Sequence, residues 1–279
     1  GRGGMGVVYL AERDDLGLRA ALKVLDEPVP ASDGAMTPVC VSDDARRFHA
    51  ERRHLARLSH PGVPRIYDAG RTATGIPFYA MELVKGVPLD EYVEQCSLGA
   101  IERVSLFVQL CEIVRHVHGQ GLAHGDLKPA NVLVQDGEPP VGARRPRPVV
   151  RLVDFGVAEE TGSMSAPGAR PFTPAFAAPE IFDGASPSVA SDIYALGAVL
   201  GDLVASSPKE RNGLTRRSVE TNGVVTMPLF DVVIRATRPS VAERYGSVDH
   251  LLADVREAAV AVAWATVPVV RAETPPLPT

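Results

Sequence analysis

The sequence predicts an α+β, bilobal fold, with a small β-rich lobe carrying one key helix and a larger, mainly helical second lobe. Three observations predict it. Short β-prone runs between turn residues open the chain and return at FYAMELV. A single amphipathic helical pattern interrupts them. From about residue 102 onward, apolar residues recur at helical spacing. The 279 residues are 45% hydrophobic and 23% charged, enough for one large core or two modest ones. A formal net charge of -5 argues against a nucleic-acid partner, whose binder would carry a strongly basic surface.

Taken in order, VVYL and ALKVL around turn residues predict a β-hairpin within residues 1–25, and residues 26–41 read as a loop. Ser42, Asp43 and Asp44 supply capping groups for a helix running to about Leu58. Phe48, Leu55 and Leu58 share one face of that helix, and so does Glu51, a carboxylate that needs a cation there. HPGVPRIYDAG breaks the pattern, and FYAMELV reads as a buried strand leading to a turn at Gly86. The small lobe is therefore expected over residues 1–84 and the larger over 85–266.

In the larger lobe, Val104, Phe107, Leu110, Cys111, Val114 and Val117 predict a helix over 102–118. YALGAVLGDLV is apolar nearly all round, as befits a helix buried in the middle of its lobe. Residues 135–148 read as a loop, and 267–279 as a Pro-rich linker or tail. The near-apolar run from Ala258 to Val270 is shorter than a bilayer span and contains Pro268, so it is expected as a terminal amphipathic helix without membrane contact. Cys40, Cys96 and Cys111 form no CxxC pair, which suits free thiols in the cytoplasm. The chain opens on Gly1, not Met, and is expected to be a fragment of a longer protein that could itself be anchored.

The chemistry begins with Gly1, Gly3 and Gly6, a GxGxxG loop whose missing Cβ atoms let backbone N–H groups approach phosphates. A dinucleotide fold would follow such a loop with a helix, whereas Val7, Val8 and Tyr9 continue as strand. Lys23 ends an apolar run, so its stem lies on a strand, and Glu51 is its natural mate. In HGDLKPANVLV, Asp126, Lys128 and Asn131 can aim a carboxylate at a substrate hydroxyl, an ammonium at a γ-phosphate and an amide oxygen at Mg²⁺. Asp154-Phe155-Gly156, after the strand-like VVRLV, adds a second acid for the metal.

Together these residues resemble protein kinases, especially the bacterial eukaryotic-like Ser/Thr kinases, over nearly the whole chain. The resemblance implies transfer of the γ-phosphoryl group of Mg-ATP to protein hydroxyls, autophosphorylation included. It implies phosphate cover by Gly1, Gly3 and Gly6, phosphate contact by Lys23 paired to Glu51, and a catalytic base at Asp126 assisted by Lys128. Asn131 and Asp154 would hold Mg²⁺. Met81 would guard the back of the adenine pocket, Glu82 to Val84 would form the hinge, and Val8, Ala21 and Leu133 would sandwich the base. Glu180 of Ala178-Pro179-Glu180 would pair with Arg244, and Asp192 would brace the catalytic loop. Lys128 and Thr173 favour Ser/Thr over Tyr acceptors.

The chain departs from the family in three places. Gly125 replaces the arginine that commonly grips a phosphorylated activation segment, no strand is expected before the glycine loop, and residues 201–228 lack the usual Gly-x-x-Pro-Phe segment. Two rivals remain open here: a pseudokinase scaffold, which would lose Lys23, Asp126 or Asp154, and a small-molecule phosphotransferase, which usually lacks Lys-Pro and Ala-Pro-Glu.

Overall fold

The predicted hairpin is β2 (Gly6–Arg13) paired with β3 (Leu18–Leu25). A computed structural model of the chain describes residues 2–3, 6–13, 17–25, 52–137, 147–155, 159–160, 173–204 and 227–265. In the first lobe, β1 (Arg2–Gly3), β2, β3, β4 (Ile66–Arg71) and β5 (Pro77–Glu82) form one antiparallel sheet in the order β1-β2-β3-β5-β4. β1 is a two-residue pairing inside the glycine loop itself, Arg2 with Val7 and Gly3 with Gly6, and so is not the strand whose absence before that loop the sequence suggested. β4 is a correction. Asp68, Ala69 and Gly70 are poor strand formers, so local preference hides a strand that exists by pairing with β5, with an irregular register between Ile66 and Asp68.

Residues 52–57 form helix α1, in agreement with the predicted helix end near Leu58, and Leu55 and Leu58 are buried. Its earlier residues, Phe48 and Glu51 among them, lie outside the described residues.

The second lobe is built around α3 (Ala100–Gly119) and α5 (Val189–Val204), with the one-turn helix α4 (Pro179–Phe182) between them in the chain. The apolar face read from the sequence is the buried one in α3, from Val104 through Val117. Its first turn is closed by Glu102, whose carboxylate accepts the Gly99 N–H at 2.9 Å. α5 is buried on nearly all sides and packs against α3 and α6 (Met227–Ala236), while α7 (Val248–Ala265) covers α3 and α6. Residues 266–270 of the predicted terminal helix lie outside the described residues. Among the described residues, no helix is long and apolar enough to cross a membrane.

The contact between α5 and α6 depends on Gly197, where an added Cβ would sit 2.6 Å from the Ala236 Cβ. Gly197→Ala is therefore expected to cost about 1–3 kcal/mol by overpacking, read as a lower urea midpoint with unchanged slope. An unchanged midpoint would show that the two helices separate freely.

The second lobe also holds α2 (Leu89–Gln95) and a three-stranded sheet in the order β6 (Val87–Pro88), β8 (Val132–Asp136), β9 (Pro148–Leu152), with β9 against α3. The ends of the expected 135–148 loop are thus strand, because Asp136 pairs with Pro148 and Gln135 with Val149. A short ladder of β7 (Leu122–Ala123) and β10 (Glu159–Glu160) flanks the loop that follows β7.

Candidate active site

The loop from His124 to Asn131 leaves β7 and re-enters the sheet as β8, and it is held from below by Asp192 on α5. Asp192 Oδ2 accepts the His124 N–H at 2.7 Å and faces His118 Nε2 at 2.8 Å, while Oδ1 accepts the Gly125 N–H at 2.9 Å. Burial pushes the Asp192 carboxyl up, but His118, the His124 charge and the Gly125 N–H together hold it below the usual aspartate range. The brace inferred from the sequence is thus a buried anion with three donors. Gly125 has φ +80°, a conformation that costs an L side chain roughly 1–2 kcal/mol, so the residue in place of the usual arginine also suits its backbone. His124 is fully buried, and that burial lowers its pKa despite the neighbouring Asp192, Asp126 and Asp154. Its ring packs against that of Phe155 at 4.7 Å with the planes tilted by 57°, and its Nε2 lies 3.3 Å from Val153 O.

Three groups converge on Asp126. Lys128 Nζ donates to Oδ2, Asn131 Nδ2 donates to the backbone O at 2.8 Å and to Oδ2 at 3.2 Å, and the Thr173 hydroxyl donates to Oδ1 at 3.4 Å. Lys128 Nζ also donates to Thr173 Oγ1 at 2.9 Å. The string read in the sequence therefore folds into one cluster, with Thr173 arriving from the segment before Ala178-Pro179-Glu180. A shallow cavity lined by Gly125, Asp126, Thr173, Phe176, Ala177 and Ile181 opens beside the Asp126 carboxylate.

Asn131 and Asp154 are brought together by the Val153 N–H, which donates to Asn131 O at 2.9 Å. Because the Asn131 amide nitrogen is spent on Asp126, its Oδ1 is left as the oxygen for a cation. Asp154 has φ +62°, a rare backbone state for a residue with a side chain, and its carboxylate is 46% exposed. Lys23 Nζ, itself buried, lies 3.2 Å from Asp154 Oδ1. Burial pushes the Asp154 carboxyl up, but Lys23, with help from His124 and Lys128, more than offsets this and keeps it an anion. Two hard oxygen donors, one of them charged, fit Mg²⁺.

On the other wall, the sheet register settles which residues share a face. Val8 lies opposite Lys23, and Ala21 opposite Met81, so Val8, Ala21, Lys23 and Met81 line one side of the sheet. Half-buried Leu133 lies on β8, and Glu82 to Val84 link the two lobes. Gly3 and Gly6 face each other across the β1–β2 turn. Gly1 and Glu51 lie outside the described residues. The Lys23–Glu51 pairing keeps its own test: Lys23→Met and Glu51→Ala are expected to raise the barrier by less in combination than the sum of the singles. A strictly additive double variant would separate them.

The sequence reading missed Arg151. Its only signal was a charge inside the apolar strand VVRLV, and it is buried with Nη2 2.7 Å from Glu82 Oε2. The pair inferred between Glu180 and Arg244 is present as two parallel bonds of 2.7 Å.

A protein kinase domain model matches residues 1–247. The chain belongs to the protein kinase family. This kinase domain is 35% identical over 214 residues to the DNA damage-responsive serine/threonine-protein kinase RqkA of Deinococcus radiodurans, covering 75% of the chain and 29% of that protein. It is 31% identical over 264 residues to the serine/threonine-protein kinase Pkn1 of Myxococcus xanthus, covering 89% and 36%. It is 36% identical over 237 residues to the serine/threonine-protein kinase PknK of Mycobacterium tuberculosis, covering 83% and 19%. The kinase domain thus spans 29%, 36% and 19% of the lengths of these relatives.

Proposed function

We propose that this domain transfers the γ-phosphoryl group of Mg-ATP to Ser and Thr hydroxyls of proteins, its own included. The observation that carries the reading is the convergence of Lys128, Asn131 and Thr173 on the Asp126 carboxylate. The acceptor hydroxyl oxygen forms a bond to the γ-phosphorus as the bond to the β–γ bridging oxygen breaks, ADP leaves, and the hydroxyl proton passes to Asp126. Lys128 supplies a cation beside both the base and the incoming phosphoryl group, and Lys23 one for the non-transferred phosphates. Gly1, Gly3 and Gly6 cover the phosphates, while Val8, Ala21, Met81, Leu133 and the Glu82 to Val84 backbone enclose the base. Asn131 and Asp154 would hold Mg²⁺, which would neutralise phosphate charge.

Ser/Thr acceptors are supported by the Thr173–Lys128 contact at 2.9 Å, which fixes the segment beside the base, and by the printed names of the relatives. Lys23, Asp126 and Asp154 are all present, which favours a catalyst over a scaffold. ATP chemistry and the free thiols of Cys96 and Cys111 suit a cytoplasmic setting. Incubation with Mg-ATP and a generic protein acceptor tests the proposal. Phosphoserine or phosphothreonine is the expected product, and phosphotyrosine alone, or no transfer, would overturn it.

A further inference from the structure

β9 is the strand that delivers Asp154, and it is anchored both to α3 of the larger lobe and to the segment before β4 in the smaller one. Gln109 of α3 donates from Nε2 to Pro148 O at 3.2 Å and accepts the Val150 N–H on Oε1 at 3.2 Å. The Leu152 N–H donates to Gly62 O at 2.8 Å. Arg151 sits between these anchors, directly across from Leu133, so the two side chains share a face of the sheet. From there its guanidinium reaches Glu82, the last residue of β5 and the first of the interlobe crossing.

The covalent path from Glu82 runs through residues 83–86 to β6, which pairs with β8 (Pro88 with Leu133), and β8 pairs with β9. The Arg151–Glu82 contact closes this path into a ring that passes through Leu133. One end is fixed and the other lies at the hinge. Among the described residues, neither Nε nor Nη2 of Arg151 makes a well-aligned hydrogen bond, so the ion pair of Nη2 with Glu82 at 2.7 Å is what compensates this buried charge. The Glu82 carboxyl is held below its usual value, first by its bond to Arg151 and against its own partial burial.

We propose that Arg151 is a positioning residue for nucleotide binding, tying the hinge at Glu82 to the strand that carries Asp154 and so setting the spacing of the base pocket over Leu133. This inference rests on the kinase reading. It assigns Arg151 an effect on nucleotide affinity, acting through Glu82 and not by contact with the phosphates.

Arg151→Gln is the informative variant, because the Glu82 carboxylate it abandons is partly exposed and can be hydrated. Titration with a fluorescent ATP analogue and Mg²⁺ should show a Kd about tenfold weaker than wild type, as expected for a misplaced binding wall. KM for ATP should rise in parallel, with kcat at saturating ATP within about twofold of wild type. Arg151→Lys, which keeps the charge, should recover most of the affinity. The neutral double variant Glu82→Gln/Arg151→Gln, which leaves no buried charge unpaired, guards against a folding defect and should bind as weakly as Arg151→Gln. Wild-type affinity in folded Arg151→Gln overturns the proposal, as does a fall in kcat with unchanged Kd. If the wild-type domain itself bound no ATP analogue, the kinase reading would fail and this inference with it.

Discussion

Asp126→Asn is expected to lower kcat for phosphoryl transfer by roughly 10²–10⁴-fold, the usual worth of a positioned general base, while the Kd for Mg-ATP changes little. The substitution is nearly isosteric, and the Asn131 bond to the backbone O of residue 126 does not depend on the side chain. What disappears is the anion that faces Lys128, Thr173 and the acceptor proton. The groups assigned to nucleotide and metal, Lys23 and Asp154, pair with each other and not with Asp126. Binding and chemistry should therefore separate in a titration run beside single-turnover kinetics. Transfer at the wild-type rate would remove Asp126 as the base. Equal losses of binding and rate would mean that it holds nucleotide.

Much of this site was legible because its residues are close in sequence. Asp126, Lys128 and Asn131 lie on one short loop, so their spacing alone constrains their meeting, and the strand pattern around Lys23 placed its stem in the sheet. The long-range links divide into two kinds. Glu180–Arg244 and Asp192 with the catalytic loop were named through family resemblance, and the geometry shows them as direct hydrogen bonds. Arg151–Glu82 had no such guide, and an ion pair between two strands of different sheets leaves no periodic trace. β4 was invisible for a related reason, since Asp68-Ala69-Gly70 takes its strand conformation from β5 and not from its own preference. Gly125 was read only as a lost arginine. Its φ of +80° and its N–H to Asp192 show a second constraint, on the backbone, that composition cannot express.

The largest effect on stability is expected from Glu180→Gln. The Arg244 side chain is fully buried and every N–H of its guanidinium is used: Nε on Arg238 O, Nη1 on Glu180 Oε1 and Ala190 O, and Nη2 on Glu180 Oε2 and Pro239 O. The other three partners are neutral backbone carbonyls, so once glutamine replaces Glu180 no partner carries charge, and the glutamine NH₂ would face an N–H donor. The guanidinium would then be a buried cation without an anion, a defect that typically costs about 3–5 kcal/mol. The loss should depend on pH. Burial pushes the Glu180 carboxyl up, but the Arg244 bonds and charge bring it below its usual 4.5. A carboxyl with a lowered folded-state pKa contributes its full stabilisation above the unfolded value and loses it as pH falls through the folded one. Urea unfolding across pH should therefore show wild type and Glu180→Gln separated by a constant gap above about pH 5.5, narrowing once the pH drops below the usual glutamate range. A gap that stays constant into acid would assign the loss to packing alone. No gap at neutral pH would mean that the three backbone carbonyls are enough to hold the buried cation.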